Sequence, residues 1–310
     1  MESIIHYLRE NFALPIDEID FAVQSGRGHK TGIETIYFYS EKRPVLVAKV
    51  TSTESTKLSK EFESLKMLEK LLVGTRLENT VEKAYDFTKL NGVCVLFKNY
   101  LDGTPGTVYL SSKLEKKKQV SEFLAISSRW LMDFAEATED IHKYSEEEKV
   151  HALMNLVGSA SLDGSEKLVR NKSFFASPTH GNLTVPDVLI YHDKEAKVLS
   201  FENFLLYGFC VIDLISLIIS TGTAIFGSNQ RIISSIFFEK NWFSEVVTKC
   251  VNIFCDKFSM EIDDIIQVLP VYFDRAKYLS KMWGMKDALR FQEELTNQFV
   301  NRKNEIVWKL

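Results

Sequence analysis

Polar residues that could do chemistry are concentrated in one loop in the second half of the chain. His180 and Gly181 open the loop, and an amide, Asn182, stands five residues before a carboxylate, Asp187. A second carboxylate, Glu202, follows a strand-like segment. Carboxylate oxygens are the hard ligands that magnesium prefers, whereas a neutral amide cannot act as a general base. The two carboxylates therefore suit a magnesium ion, and Asn182 offers no general base.

The first half of the chain supplies a lysine inside an apolar strand and a glutamate on the helix that follows it. Lys49 lies in the apolar segment 45–50, where a lysine must either reach solvent or meet a buried anion. Apolar residues at spacings of three and four predict a helix over 57–72. Glu61 lies near the edge of its buried face. If Lys49 meets an anion rather than solvent, the candidates on this helix are Glu61 as first choice and Glu63 as second.

A loop with several glycines precedes this lysine strand. Gly26 and Gly28 lie between two segments that alternate like strands, 18–24 and 34–40. Glycines at this spacing suit a loop that covers phosphates, and they equally suit a simple turn. Both interpretations stay open on these residues alone.

Two further strands are predicted at 81–87 and 93–97, followed by a short extended linker that contains Lys98 and Tyr100. Beyond it, alternation gives way to helical periodicity at 114–144, 232–258 and 262–310. The sequence therefore predicts a small lobe rich in strands, residues 1–100, and a larger helical lobe, residues 101–310.

Composition and charge exclude several classes of protein. The chain has 310 residues, a formal net charge of −4 and four cysteines, so we expect no nucleic-acid-binding surface and no disulfide scaffold. The longest apolar stretch, 209–226, contains Asp213 and several small polar residues, which indicates a buried helix. The start of the chain has no targeting pattern. We expect a cytoplasmic protein with no membrane partner.

The loop and its surroundings resemble the aminoglycoside phosphotransferase and choline kinase family of kinase-like folds. Those proteins carry His-Gly-Asp-Leu, an asparagine five residues after that aspartate, an acidic strand end and an Asp-Leu that opens a helix. The corresponding residues here are His180-Gly181-Asn182-Leu183, Asp187, Phe201-Glu202 and Asp213-Leu214. The order of elements matches over nearly the whole chain.

This resemblance implies an α+β, bilobal protein-kinase-like fold with a small antiparallel-sheet lobe and a mainly helical lobe. It implies that the protein binds ATP, or another nucleoside triphosphate, together with magnesium. The residues that would bind the nucleotide are Gly26, Gly28, Lys49, Glu61, Lys98 and Tyr100. The metal ligands would be Asp187 and Glu202, with Ser200 as the alternative at the strand end. By the same resemblance, His180 and Asp213 brace the loop.

The departures from the family pattern set the functional alternatives. Asn182 stands at the catalytic position, where the family has an aspartate, and loss of that carboxylate should slow phosphoryl transfer without preventing nucleotide binding. One hypothesis is a pseudokinase-like regulatory or scaffolding subunit that binds ATP and magnesium. A second is an active phosphotransferase that acts on a hydroxyl of a small molecule or peptide. A third is an interaction module that has lost nucleotide binding.

Overall fold

A five-stranded antiparallel sheet forms the centre of the first compact unit. The computed structural model describes residues 1–12, 20–25, 32–52, 56–111, 115–138, 147, 150, 177–192, 194–227 and 231–309. The first unit comprises Met1–Asp102 together with Ser200–Glu202. Its strands lie in the order β1-β2-β3-β5-β4, and they are β1 Asp20–Ser25, β2 Ile33–Ser40, β3 Arg43–Thr51, β4 Ala84–Leu90 and β5 Val93–Asn99.

Two tight turns fix the register of this sheet. The β2–β3 turn has Glu41 at φ 50° and Lys42 at φ 64°, and the β4–β5 turn has Asn91 at φ 49° and Gly92 at φ 84°. Two consecutive residues with positive φ are typical of hairpin turns whose twist matches that of the strands. In the resulting register, Lys49 of β3 lies opposite Thr35 of β2 and Leu96 of β5.

Two helices accompany the sheet. Helix α1, Glu2–Asn11, buries Ile4 and Leu8 in one apolar cluster with Phe38 and Phe97 of the sheet. Helix α2, Thr56–Leu72, confirms the helix predicted at 57–72. Its buried side chains follow the expected spacing of three and four, and they are Leu58, Glu61, Leu65, Leu68 and Leu72. The stripe is therefore apolar except at Glu61.

The second unit, Gly103–Leu199 together with Asn203–Leu310, is mainly helical. Its longer helices confirm the predicted change of periodicity, and they are Lys116–Ala137, Cys210–Phe226, Trp242–Phe258, Ile262–Met282 and Lys286–Arg302. Shorter helical segments are Gly106–Tyr109, Val185–Asp187, Arg231–Ile233, Ser234–Phe238, Lys303–Glu305 and Val307–Lys309. The described part of this unit also contains two small sheets: Ser177–Thr179 pairs with Leu205–Gly208, and Val188–Tyr191 pairs with Thr104–Pro105 and Glu195–Val198.

The helix Cys210–Phe226 confirms the buried helix predicted at 209–226, since nearly all of its first thirteen side chains are buried. No single helix in the described part of the chain is long and apolar enough to cross a membrane. Only together do this helix and Arg231–Phe238 reach the length and apolar composition of a membrane span, and the two are bent by 119° relative to each other.

Candidate functional site

The ion pair expected between Lys49 and Glu61 is present. The Lys49 ammonium lies 2.7 Å from Glu61 Oε1 and 2.8 Å from Oε2, so it contacts both carboxylate oxygens. The register of β3 directs Lys49 towards α2, and the helical period places Glu61 in the buried stripe of that helix. The Lys49 side chain is 17% exposed and the Glu61 side chain only 2%. The lysine is thus the partner that a ligand can reach.

A second lysine completes this pair from the interior. The predicted linker is wrong at its start, because β5 continues to Asn99 and Lys98 lies within the sheet, opposite Val47. The Lys98 ammonium lies 2.7 Å from Glu61 Oε1 and 2.7 Å from Glu82 Oε1. Lys98 therefore belongs to a buried ionic network. Tyr100 follows the strand, and its ring makes an edge contact with Tyr37.

Charge pairing decides the protonation of this network. Burial would lower the pKa of Lys49, but Glu61, Glu202 and Glu82 outweigh burial and raise that pKa above its ordinary value. Burial would raise the pKa of Glu61, but the ammonium groups of Lys49 and Lys98 outweigh it and lower the pKa to about 2. Lys49 is therefore a cation and Glu61 an anion throughout the physiological range.

The turn that carries Glu202 belongs to the same compact unit as this network. Ser200 has φ 67°, a left-handed conformation that is uncommon for residues other than glycine, and its N–H donates to Glu82 Oε2 at 2.9 Å. A short 3₁₀ helix, Phe201–Asn203, follows. Glu202 is close enough to raise the pKa of Lys49. The assignment of Glu202, with Ser200 as alternative, as the strand-end metal ligand stays a prediction.

In the second unit, the loop at 180–183 is held by one buried carboxylate. Asp213 accepts hydrogen bonds from the backbone N–H groups of His180 at 2.7 Å, Gly181 at 3.0 Å and Leu183 at 3.2 Å. The His180 ring Nε2 lies 2.7 Å from the carbonyl oxygen of Leu199. Burial raises the pKa of Asp213, whereas His180 and the three N–H donors lower it. The bracing roles expected of His180 and Asp213 are confirmed.

Close backbone contact fixes the same loop from a second side. Gly181 has φ 82°, and a Cβ added there would lie 2.1 Å from the carbonyl oxygen of Asn203. The guanidinium of Arg275, from the helix Ile262–Met282, would lie 3.4 Å from that Cβ. Arg275 is only 5% exposed, and burial lowers its pKa below the ordinary value, with Asp213 opposing part of that shift. Arg275 therefore supports the loop.

Asp187 lies at the end of a one-turn 3₁₀ helix, Val185–Asp187. Its Oδ2 accepts hydrogen bonds from the backbone N–H of Thr184, at 2.9 Å, and from the Thr184 hydroxyl. The carboxylate is thereby held in one orientation, and the backbone carbonyl of Asp187 accepts from the N–H of Leu199. A capping function of Asp187 is thus observed, and its role as a metal ligand stays a prediction.

Of the remaining predicted site residues, Asn182 is described by the structure, and Gly26 and Gly28 are not. Asn182 is partly exposed, and no hydrogen bond of its side chain is found among the described residues. It follows directly on Gly181 in the braced loop. Gly26 and Gly28 lie outside the described residues, so their role stays a prediction.

The donor set bears on which metal could bind. Among the described residues, no group of three or more His, Cys, Asp or Glu side chains is arranged to hold a metal ion. Magnesium that binds together with nucleotide phosphates needs only one or two protein carboxylates. The carboxylates of Asp187 and Glu202 are each hard oxygen ligands of this kind, and neither belongs to a dedicated metal site among the described residues.

Solved structures share the arrangement of these elements. The GDP complex of wild-type aminoglycoside 2'-phosphotransferase-IIIa matches with a TM-score of 0.54 and 11% identity, covering 97% of this chain and 100% of that chain. The chain has a kinase-like fold. The GDP and kanamycin complex of APH(2")-IIia matches with a TM-score of 0.53 and 12% identity, covering 96% of this chain and 99% of that one.

A third structure agrees with this assignment. Aminoglycoside-3'-phosphotransferase of type VIII matches with a TM-score of 0.51 and 15% identity, covering 88% of this chain and 98% of that one. No protein-family model matches the sequence, and no curated protein matches it significantly. The predicted α+β architecture, with a small antiparallel sheet and a mainly helical remainder, is confirmed at the level of the fold.

Sequence reasoning missed Glu82 in the first unit and Arg275 in the second. It named Lys98 as a nucleotide-binding residue but missed its ion pairs with Glu61 and Glu82. Lys98 carried a usable signal, because it follows directly on a run of apolar residues as Lys49 does and so needed either solvent or an anion. Glu82 lies just before β4, in a segment predicted as strand, and nothing in its spacing indicated a partner in β5.

Proposed function

We propose that the protein binds a nucleoside triphosphate, ATP in the first place, together with magnesium, and that its phosphotransfer is weak, altered or absent. In this proposal residues 1–100 form the nucleotide-binding lobe, and residues 101–310 carry the catalytic-type and metal-type loops. The biological role is that of a pseudokinase-like regulatory or scaffolding subunit, with a protein partner. The observation that carries the proposal is the Lys49–Glu61 pair of the first unit, taken together with the neutral amide of Asn182 at the position where the family has a carboxylate.

Lys49 supports the phosphate-binding part of the proposal. It is a permanent cation on a rigid central strand, its position is set by two hydrogen bonds to Glu61, and it alone of that pair is partly exposed. An ammonium group held in this way offers a preorganised partner for phosphate oxygens. Gly26 and Gly28 would cover the phosphates, and Tyr100 would lie beside the base.

Asp187 and Glu202 support the magnesium part. Each offers carboxylate oxygens, and Asp187 is held in one orientation by Thr184. When bound with a nucleotide, magnesium neutralises phosphate charge. In this proposal the two carboxylates hold the ion, while His180 and Asp213 keep the loop rigid.

Asn182 is the reason for proposing weak or absent transfer. Its amide can orient a hydroxyl by hydrogen bonding, but it cannot accept the proton that an attacking hydroxyl loses. Removal of a general base typically costs 10²–10⁴-fold in rate. Nucleotide binding does not need this group.

Isothermal titration calorimetry with ATP and magnesium tests nucleotide binding. We expect saturable binding to the unaltered protein, stronger with magnesium than with EDTA. Absence of binding at millimolar nucleotide would contradict the proposal and would favour an interaction module without nucleotide.

The second candidate is an active phosphotransferase acting on a hydroxyl of a small molecule or peptide. The fixed carboxylate of Asp187 favours it, because this group lies five residues after Asn182 and could take over the proton. Phosphotransfer to mixed hydroxyl substrates by the unaltered protein and by Asn182→Asp separates the two. Rapid turnover by the unaltered protein favours the enzyme, and turnover only by Asn182→Asp favours the pseudokinase.

A cytoplasmic location is part of the proposal. All four cysteines are buried free thiols, and burial raises the pKa of Cys210 to about 12 and that of Cys250 to about 11. Reduced, unreactive thiols suit a reducing compartment.

A further inference from the structure

The buried lysine Lys98 links two carboxylates that come from different parts of the chain. Its ammonium bridges Glu61 on α2 and Glu82 before β4, with 2.7 Å to each. The Lys98 side chain is 1% exposed and that of Glu82 6%. Since each charge has a partner of opposite sign, the four residues Lys49, Glu61, Lys98 and Glu82 form one continuous network.

At Glu82 the network also contacts the backbone, through the N–H of Ser200. Glu82 uses Oε1 for Lys98 and Oε2 for the N–H of Ser200, at 2.9 Å. Ser200 adopts the left-handed conformation two residues before Glu202. Strained backbone persists where surrounding contacts determine it, and the Glu82 carboxylate is such a contact.

Stability alone is a poor reason for burying this pair. Two buried opposite charges can usually be replaced by apolar side chains of similar size without loss of stability, whereas removal of one partner alone is costly. What an apolar pair cannot supply is an acceptor for the Ser200 N–H. The pair therefore determines the geometry of the turn rather than the existence of the fold.

We propose that Glu82 and Lys98 are positioning residues of the nucleotide site, which hold the turn that carries Glu202 at the Lys49–Glu61 pair. This inference rests on the proposed binding of nucleotide and magnesium. Lys98 fixes the Glu82 carboxylate, Glu82 fixes the Ser200 N–H, and the turn in consequence keeps Glu202 within the field of Lys49. Lys98 also leaves Glu61 paired when Lys49 engages a phosphate.

Hydrogen–deuterium exchange of the nucleotide-free protein tests the link itself. The double variant Glu82→Met/Lys98→Met removes both charges together and keeps side chains of similar size. We expect peptides that cover residues 199–204 to exchange at least about 10-fold faster, because the carboxylate that accepts from the Ser200 N–H has been removed. The matched control is Glu78→Met/Lys83→Met, which removes a half-exposed ion pair from the same segment and should leave this exchange unchanged.

A conservative variant separates the specific hydrogen bond from general loosening. Glu82→Gln/Lys98→Met removes the same charges, but its amide oxygen can still accept from the Ser200 N–H. We expect slow exchange of the turn to be largely restored. Equal, fast exchange in both double variants, or unchanged exchange in the first, would overturn the link.

The role in the site is tested by the magnesium dependence of ATP binding. For Glu82→Met/Lys98→Met we expect affinity measured with magnesium to fall at least about 10-fold, and affinity measured in EDTA to change less than about 3-fold. Faster exchange combined with an unchanged magnesium dependence would overturn the positioning role. Failure of the unaltered protein to bind ATP would overturn the proposed function and this role with it. Failure of the positioning role alone would show only in the double variant, so the two outcomes are distinguishable.

Discussion

Two regions of the molecule hold their candidate functional residues by different kinds of contact. In the first unit, Lys49, Glu61, Lys98 and Glu82 form a network of side-chain charges. In the second unit, one carboxylate, Asp213, holds the loop at 180–183 through three backbone N–H groups. Side-chain ion pairs can exchange partners when a charged ligand arrives, whereas bonds to backbone N–H groups fix the path of the chain.

This difference indicates how binding and catalysis could be separated in one fold. The charged network contains the Lys49–Glu61 pair on which the proposed phosphate binding rests. The backbone of the loop is held by Asp213, and in the proposal the neutral Asn182 stands at the catalytic position of that loop. A protein can thus lose a general base without losing the loop that presented it, because the bracing residues are different from the reacting one.

The largest expected effect comes from removing the backbone anchor. Asp213→Ala leaves three buried N–H donors without their acceptor, which should cost about 4 kcal/mol or more of the free energy of unfolding. Urea denaturation measures this loss. The control Glu293→Ala, at an exposed helix position, should stay within about 0.5 kcal/mol. A loss below about 1 kcal/mol for Asp213→Ala would show that the loop does not depend on this carboxylate.

The charged network should respond next. Glu61→Gln removes the shared anion of Lys49 and Lys98 and should cost about 3 kcal/mol in urea denaturation. Glu63→Gln, at an exposed position on the same helix, is the matched control. Equal stability of the two variants would contradict the view that Glu61 holds the network together.

The pH dependence of stability tests the same residue with its charge varied. The pKa of Glu61 is about 2 in the folded protein and 4.5 as its ordinary value, so between these values the unfolded state binds more protons. The contribution of Glu61 is fully present above about pH 4.5 and is lost as the pH falls towards 2. Unfolding midpoints measured from pH 6 to 3 should therefore fall less steeply for Glu61→Gln than for the unaltered protein. Parallel curves would contradict the lowered pKa.

A smaller effect separates backbone strain from close contact. Gly181→Ala and Gly74→Ala both place a Cβ on a residue with positive φ, but nothing lies within 4 Å of the added atom at Gly74. At Gly181 the atom would meet the carbonyl oxygen of Asn203. We expect Gly181→Ala to cost about 2 kcal/mol more than Gly74→Ala. Similar costs would mean that the contact with Asn203 does not fix the loop.

Local patterns predicted the elements well. Leucines at helical spacing predicted α2, and the apolar strand 45–50 predicted β3, since these signals lie within one element. The lysine in an apolar strand left two possibilities, solvent or an anion, and the resemblance to kinase-like folds selected Glu61 as the partner.

Contacts between distant segments were harder to predict. Glu82 and Lys98 meet because β4 begins at Ala84 and β5 extends to Asn99, and both boundaries depend on pairing across the sheet. Arg275 lies about a hundred residues beyond the loop that it supports. A sequence pattern shows the periodicity of one helix or strand. It does not show which distant side chain will pair with a buried charge.

The most direct test of nucleotide binding by the charged network compares two lysine variants. Lys49→Met removes the partly exposed ammonium of the network, and Lys70→Met removes an exposed lysine of α2. Affinity for a fluorescent ATP analogue, measured with magnesium, should fall at least about 10-fold for Lys49→Met and stay within about 2-fold for Lys70→Met. Equal affinity of Lys49→Met and the unaltered protein would contradict the account.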